Sequence, residues 1–154
     1  MQKYIEKNSC RVCGSAIVEI LDLNEQPLAN SYHKGDNLPH FPLKLNTCQE
    51  CQHCQLSVVI DSDLMFKDYL YVSGTSKTLH EYFSHFSSLC EKYATKRTVL
   101  DIACNDGTQL DKFKKIGWET YGVDPAENLF PMSSKNHNVV CGYWNEAVAK
   151  SFEI

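Results

Sequence analysis

Two pairs of cysteines, each with two residues between its members, are the side chains of this sequence best suited to bind a metal ion. Cys10 and Cys13 form one C-x-x-C pair, Cys48 and Cys51 form the other, and 34 residues lie between the pairs. Four thiolates around one ion are the usual ligands of a structural zinc site. The sequence therefore predicts zinc at these four cysteines. An iron site of the rubredoxin type, disulfides and unpaired buried thiols remain the alternatives.

The other four of the eight cysteines are not needed for such a site. A third, overlapping C-x-x-C ends at Cys54, but a tetrahedral ion cannot take five thiolates. We interpret Cys54 and its neighbour His53 as packing residues. Cys90, Cys104 and Cys141 are expected to be buried as small apolar side chains, which is the common fate of a free cysteine.

A second candidate site follows from a pattern of strand, turn, helix and strand in the last third of the chain. The branched apolar run Thr98–Ala103 predicts a buried strand, and the small residues Cys104–Gly107 predict a turn. Thr108–Ile116 has helical periodicity, and Glu119–Val123 predicts a second strand that ends at Asp124. In a parallel sheet such a unit binds its ligand at the carboxyl ends of the strands, against the helix amino terminus.

The residues of this unit resemble the cofactor motifs of class I S-adenosylmethionine (SAM) methyltransferases. Asp101–Gly107 is similar to the D-I-G-C-N-D-G motif of the zinc-containing sugar C-methyltransferases, and Gly122–Pro125 is similar to their second motif. Ala103 and Asn105 stand where glycines are usual in the general class I motif, and an alanine still permits a tight turn.

The resemblance implies that SAM is the cofactor and that zinc is structural. It places Asp101 near the methionine part of SAM, directly or through water, and Asp124 near the two ribose hydroxyls. Gly107 would let the backbone approach the cofactor, with Ala103 and Asn105 in the same pocket.

A segment before this unit is similar to the Y-x-Y-x-S segment of the same family. It contains Tyr69, Tyr71, Ser73 and Ser76. In the resembling enzymes such groups close over the methionine end of SAM, which needs both hydrogen-bond donors and acceptors. The alternative interpretation is two core aromatic residues followed by a helix cap.

The stretch Gln26–Asn30 matches another segment of the family, Q-P-L-A-N. In the resembling enzymes this neighbourhood faces the substrate cleft, so Asn30 and Ser31 are candidates to present polar groups to a ligand. A loop that packs beneath the metal site is the alternative.

These sites require a small α+β zinc-binding subdomain at residues 1–72, a linking helix within residues 73–97, and an incomplete SAM-binding α/β domain at residues 98–154. Strands are expected at 16–23, 42–45, 56–60 and 137–141, and helices at 62–71, 75–93, 126–132 and 146–152. The helix of residues 75–93 has an apolar stripe and is expected to pack on the sheet. Pro131 is expected to break or end its helix early.

The resemblance implies a Rossmann-like sheet of seven strands in the order 3-2-1-4-5-7-6, of which this sequence supplies about three. The strand at 98–103 would then have an open apolar edge, so either the chain is a fragment or it pairs with something else through that edge. The family takes its catalytic base from a downstream Tyr-x-Glu-His segment, which this sequence does not contain. We therefore expect the amino-terminal part of an enzyme for nucleotide-linked keto sugars, without catalytic residues of its own.

Composition excludes some classes of function. A formal net charge of −4 disfavours broad nucleic-acid binding, and no apolar run approaches the roughly 18 residues of a membrane span. The amino terminus is unlike a signal peptide, so a cytoplasmic protein is expected. A zinc-ribbon binding module with a degenerate nucleotide-binding segment is the alternative function. A nicotinamide-binding domain is disfavoured because the turn lacks G-x-G-x-x-G.

Overall fold

The computed structural model describes residues 3–29 and 38–152, which fall into two compact units, Met1–Met65 and Phe66–Ile154. Antiparallel strands dominate the first unit, whereas the second combines parallel strands with helices. Within the described ranges, every helix is too short or too polar to span a membrane. Asn30 and Ser31, which were candidates for ligand binding, lie outside the described residues.

The first unit contains a three-stranded antiparallel sheet and a two-stranded one. In the larger sheet the strand order is β2 (Ile17–Pro27), β3 (His40–Cys48) and β4 (Cys54–Leu56). In the smaller sheet β1 (Tyr4–Glu6) pairs with β5 (Val58–Ile60). The strands predicted at 16–23 and 42–45 are therefore present, and both extend further than their apolar residues indicated.

The apolar run at residues 56–60 is two strands and not the single strand that was predicted. The amide of Ser57 donates to the carbonyl of Lys44 on β3 at 3.0 Å, while its carbonyl accepts from the amide of Lys7 at 2.8 Å. The chain therefore changes partner at Ser57, from β3 to the strand β1. The pattern of apolar residues in the sequence does not indicate where a strand changes its hydrogen-bonding partner.

The first helix, α1 (Ser62–Phe66), ends well before residue 71, so the longer predicted helix is wrong. The cause lies in the residues that follow it. The amide of Tyr69 donates to Oδ1 of Asn128, and Nδ2 of Asn128 donates to the carbonyl of Tyr69, both at 2.9 Å. These two bonds hold the backbone of Tyr69 against the loop after the second parallel strand, where it cannot continue a helix.

The second unit contains three parallel strands in the order of the sequence, β6 (Thr98–Ile102), β7 (Glu119–Asp124) and β8 (Asn138–Cys141). The helix α3 (Thr108–Lys115) connects β6 to β7, and the short α4 (Phe130–Ser133) connects β7 to β8. The prediction of a βαβ unit followed by a third parallel strand is confirmed. Asp101 is aligned with Gly122 across the sheet.

The helix α2 (Lys77–Glu91) packs chiefly on α3, not on the sheet as was predicted. The ring of Phe86 packs edge to face on the ring of Phe113 of α3, with 6.1 Å between the ring centroids. The ring centroids of Phe113 and Trp118 are 5.0 Å apart. Because α3 carries the buried Phe113, it offers α2 an apolar surface of its own. Tyr82, on the predicted apolar stripe of α2, is exposed.

Some single residues differ from the sequence-based expectation. Pro131 lies in the first turn of α4 and does not break it, because that turn needs no amide donor at this position. Cys104 is buried as expected, but Cys90 is only half-buried and Cys141 is exposed at the end of β8. The last helix, α5 (Glu146–Ser151), begins where it was predicted.

Candidate metal centre and cofactor pocket

The four cysteines of the two C-x-x-C pairs form one cluster in the first unit. Their Sγ atoms all lie within 4.8 Å of one another. The Sγ of Cys13 lies 3.5 Å from those of Cys48 and Cys51, and the Sγ of Cys10 lies 3.6 Å from that of Cys51. Four Zn–S bonds of about 2.3 Å in a tetrahedron require sulfur separations of about 3.8 Å, whereas a disulfide requires about 2.0 Å. The cluster fits a tetrahedral ion and contains no disulfide.

Backbone turns hold each pair of thiols in place. The amide of Val12 faces the Sγ of Cys10 at 3.4 Å, and the amide of Cys51 faces the Sγ of Cys48 at 3.5 Å. The amide of Gly14 closes the first turn by donating a hydrogen bond to the carbonyl of Cys10 at 2.9 Å. Its φ of 78° is left-handed, which glycine adopts at little cost.

The side chain of Gln55 links the first turn to β4. Its Oε1 accepts from the amide of Arg11 at 2.9 Å, and its Nε2 donates to the carbonyl of Ser9 at 3.1 Å. Gln55 is buried, so both bonds are protected from water. It thereby fixes the turn of Cys10 relative to the strand that follows the second cysteine pair.

The pKa values of the clustered thiols are shifted in opposite directions. Hydrogen bonds from Ser15 lower the pKa of Cys13 to about 6, and a backbone hydrogen bond lowers the pKa of Cys10. An amide hydrogen bond at His53 lowers the pKa of Cys51, but burial and the neighbouring thiols outweigh it and raise that pKa to about 12. Adjacent thiolates repel one another, so ionisation of the whole set requires a cation among them.

Cys54 and His53 do not belong to this cluster, but they are not packing residues either. Both side chains are exposed. The interpretation of these two residues as core residues is therefore wrong. Cys54 begins β4, the edge strand of its sheet, and this position leaves its side chain in contact with solvent.

In the second unit, a polar cavity of about 220 Å³ lies at the carboxyl end of β6. It includes four residues predicted to contact a cofactor, Ser73, Asp101, Ala103 and Asn105, together with Phe83, Cys104 and Gln109. Small-molecule sites usually enclose about 300–1,000 Å³. A cavity of this size accommodates part of a nucleoside cofactor.

Asp101 is the ionisable group of this cavity. Burial, aided by the charge of Asp124, raises its pKa from 3.8 to about 6, although a hydrogen bond from Gln109 opposes the change. The Nε2 of Gln109 lies 3.2 Å from Oδ2 of Asp101. A cationic ligand or a hydrogen-bond donor stabilises the ionised form of such a buried carboxylate, and this suits Asp101 to a binding site.

Asp124 ends β7 and is buried. Its Oδ2 accepts from the amide of Asn105, and its Oδ1 accepts from the amide of Ala126, both at 2.8 Å. Each oxygen has a second lone pair. The bonds present thus tie the turn after β6 to the end of β7, and the predicted contact of Asp124 with ribose hydroxyls stays a prediction.

The side chains of Asn105 and Asp106 bind the segment Tyr71–Thr75. Asn105 donates through Nδ2 to the carbonyl of Tyr71 and accepts at Oδ1 from the amide of Ser73, both at 2.9 Å. Oδ2 of Asp106 accepts from the amide of Gly74 at 2.9 Å. These bonds hold Ser73 at the cavity. A Cβ on Gly74 would lie 2.6 Å from Oδ2 of Asp106, so this approach requires glycine.

The turn after β6 is left-handed at three of its residues. Ala103 has a φ of 66°, Asn105 has 52° and Gly107 has 84°. Ala103 and Asn105 stand where the general class I motif has glycine. A positive φ at these positions explains the preference for glycine, which adopts it at little cost. Gly107 also packs closely, since a Cβ there would lie 3.2 Å from Cα of Ser133 on α4.

The remaining predicted residues are not part of this cavity. Ser76 caps α2 by accepting from the amide of Leu79, as in the alternative interpretation. Tyr71 is exposed and contributes its carbonyl to Asn105. The ring of Tyr69 lies 6.2 Å from that of Phe66. Contacts of these residues with a cofactor stay predictions.

Sequence reasoning missed four polar residues that organise the two sites. They are Gln55, His80, Asp106 and Gln109. For Asp106, a signal was available, because its Oδ1 accepts from the amide of Thr108 in the usual manner of aspartate before a helix. Gln55 binds Ser9 and Arg11, which are distant in sequence, whereas Gly74 lies six residues before His80 and Asp101 lies eight residues before Gln109.

Comparison with known proteins supports a zinc site at the four cysteines and shows a similarity to a C-methyltransferase. Residues 10–66 match a family described as a "putative zinc binding domain". The C-methyltransferase NovU of Streptomyces niveus is 29% identical over an alignment of 132 positions that covers 79% of this chain and 31% of that relative. The chain thus spans about a third of the length of the relative.

The matched region of residues 10–66 contains all four clustered cysteines. The similarity to a C-methyltransferase is longer than this region and includes part of the second unit. The resemblance to the zinc-containing C-methyltransferase family that the sequence motifs predicted is therefore confirmed.

Proposed function

We propose that this chain is the amino-terminal part of a SAM-dependent C-methyltransferase that acts on a carbon atom of a nucleotide-linked keto sugar or a similar small molecule. The observation that supports this most is the cavity at the carboxyl end of β6, where Ser73, Asp101 and Asn105 meet. Parallel α/β sheets bind ligands at this end. The similarity to a C-methyltransferase indicates which ligand to test first.

The donors and acceptors at the cavity suit the amino-acid end of SAM. Asp101 would accept from an ammonium group, and the hydroxyl of Ser73 would donate to a carboxylate. When bound, SAM supplies a methyl group on a positively charged sulfur, so a protein mainly orients donor and acceptor. We assign binding and orientation to these residues, and no catalytic residue to this chain.

In this proposal the zinc at Cys10, Cys13, Cys48 and Cys51 is structural, because four thiolates leave no open coordination position. The proposal includes a zinc subdomain at 1–72, a linking helix within 73–97 and part of a Rossmann-like domain at 98–154. A cytoplasmic location is consistent with reduced thiols. In this proposal, a further strand pairs with the edge of β6 that faces away from β7.

A zinc-ribbon binding module is the second candidate, and one observation favours it. Both carboxylate oxygens of Asp124 and both the oxygen and the nitrogen of the Asn105 side chain already form hydrogen bonds within the chain. A turn that satisfies its own polar groups stays ordered without a ligand. In this second case the parallel sheet would serve stability and not cofactor binding.

Calorimetric titration of the zinc-loaded chain with S-adenosylhomocysteine and with NAD distinguishes these functions. The first proposal expects heat with S-adenosylhomocysteine alone, lost in Asp101→Asn but retained in the matched surface variant Glu146→Gln. No heat with either ligand would support the binding module. Heat with NAD alone would refute methyl transfer.

A further inference from the structure

His80 on α2 binds the same residue of the Tyr71–Thr75 segment, Gly74, that Asp106 binds. The Nε2 of His80 lies 2.9 Å from the carbonyl oxygen of Gly74, and its Nδ1 lies 2.9 Å from Nζ of Lys112 on α3. The amide of Gly74 donates to Asp106. Both polar groups of Gly74 are therefore bound by side chains.

The partners of His80 define its protonation state. A carbonyl oxygen only accepts, so Nε2 must carry a hydrogen. A lysine ammonium only donates, so Nδ1 must be without one. The tautomer that carries its hydrogen at Nε2 satisfies both contacts, and Lys112 selects this tautomer.

The contacts form a closed ring, which we call the Gly74 clamp: Gly74, His80, Asp106, Thr108 and Lys112. Asp106 accepts from the amide of Thr108 at 3.1 Å and from its hydroxyl at 2.8 Å. Thr108 and Lys112 are four residues apart on α3, and such positions lie on one face of a helix. The ring thus fixes the segment before α2 to one side of α3.

We propose that His80, set in its Nε2-protonated form by Lys112, is a positioning residue that keeps Ser73 at the cofactor cavity. This inference rests on the proposed function, because it gives the clamp a role in SAM binding. His80 does not line the cavity itself. It acts through Gly74, the neighbour of Ser73 in the chain.

Two substitutions separate positioning from simple packing. His80→Gln retains a donor for the Gly74 carbonyl and an acceptor for Lys112, whereas His80→Leu fills similar space with neither. We expect His80→Leu to weaken the binding of S-adenosylhomocysteine about tenfold, as for the loss of one hydrogen bond, and His80→Gln to weaken it less than threefold. Equal affinity of the His80→Leu variant and the parent, or equal weakening in both variants, would overturn the inference.

Two measurements test the clamp without any ligand. Nitrogen NMR should show the ring of His80 protonated at Nε2 and unprotonated at Nδ1. Amide hydrogen exchange at Ser73 and Gly74 should be about tenfold faster in His80→Leu than in His80→Gln, with exchange at Phe113 unchanged. The opposite tautomer, or equal exchange at Gly74, refutes the clamp. A parent chain that binds no S-adenosylhomocysteine would refute the proposed function instead.

Discussion

Replacing Asp101 by asparagine should stabilise the second unit while removing ligand binding. Burial and the nearby Asp124 raise the pKa of Asp101 from 3.8 to about 6, so the folded chain is penalised when this carboxyl ionises. Asparagine is nearly isosteric and uncharged. Its side-chain oxygen can still accept from Nε2 of Gln109, which lies 3.2 Å from Oδ2 of Asp101.

The pKa values give the size and the pH window of this gain. A change from 3.8 to about 6, at about 1.4 kcal/mol per pKa unit, corresponds to roughly 3 kcal/mol at neutral pH. Because the folded pKa is the higher one, the folded state retains its proton longer, and stability falls as the pH rises from about 4 to 6. With a discount for partial exposure, we expect Asp101→Asn to gain roughly 1–3 kcal/mol at pH 7.5 and distinctly less at pH 5.

Urea unfolding followed by tryptophan fluorescence measures this gain directly. Both tryptophans, Trp118 and Trp144, lie in the second unit, so their signal reports its unfolding. Asp124→Asn is the control, because the oxygens of Asp124 accept from two amides and an NH₂ group there would face a donor. This control should lose about 1–3 kcal/mol. An Asp101→Asn variant no more stable than the parent at pH 7.5, or a gain independent of pH, would refute the reasoning.

Three further predictions concern the metal centre, the pH response and the turn. Elemental analysis should find one equivalent of zinc in the parent and none in Cys13→Ser, which should also lose the dispersed NMR signals of residues 3–29 and 38–65, because metal binding supplies roughly 10–16 kcal/mol of folding energy. Cys54→Ser should retain both, and the same zinc loss in both variants would contradict the cluster. Burial lowers the pKa of His137 in the folded chain. The contribution of this histidine to the free energy of unfolding is therefore present above about pH 6.5 and is lost as the pH falls through the folded pKa. The stability advantage of the parent over His137→Gln in urea unfolding should therefore shrink between pH 7.5 and 5, and an advantage that does not depend on pH would contradict this. Ala103→Gly should raise the stability of the second unit by about 0.5–1 kcal/mol, because the φ of 66° at Ala103 strains any residue with a Cβ. The control Ala147→Gly in α5 should lower the stability by a similar amount. If thermal unfolding shows that both variants are destabilised, backbone strain at Ala103 is excluded.

Local patterns in the sequence were enough to predict the thiol cluster and the positions of the parallel strands along the chain, whereas their order in the sheet was implied by the resemblance to the family. The spacing of Cys10 and Cys13 places two sulfurs on one turn, and the same spacing recurs at Cys48 and Cys51. Apolar runs and helical periodicity located β6, α3 and β7, although no residue of β6 is buried, against the prediction of a buried strand.

The errors occurred where distant residues decide the structure. Ser57 divides an apolar run because Lys44 and Lys7 bind its two backbone groups. Asn128 ends a predicted helix by binding Tyr69, 59 residues earlier. The exposure of Cys54 likewise depends on its place at a sheet edge, which no local signal reveals.

The contact at Gly74 has a consequence for how this protein tolerates substitution. A methyl group at this position would lie 2.6 Å from oxygens of both Asp106 and Thr108. In a deep mutational library, position 74 should accept glycine alone while Asp106 is present. Alanine should become acceptable there only in combination with smaller side chains at both 106 and 108, so these three positions would have to mutate together.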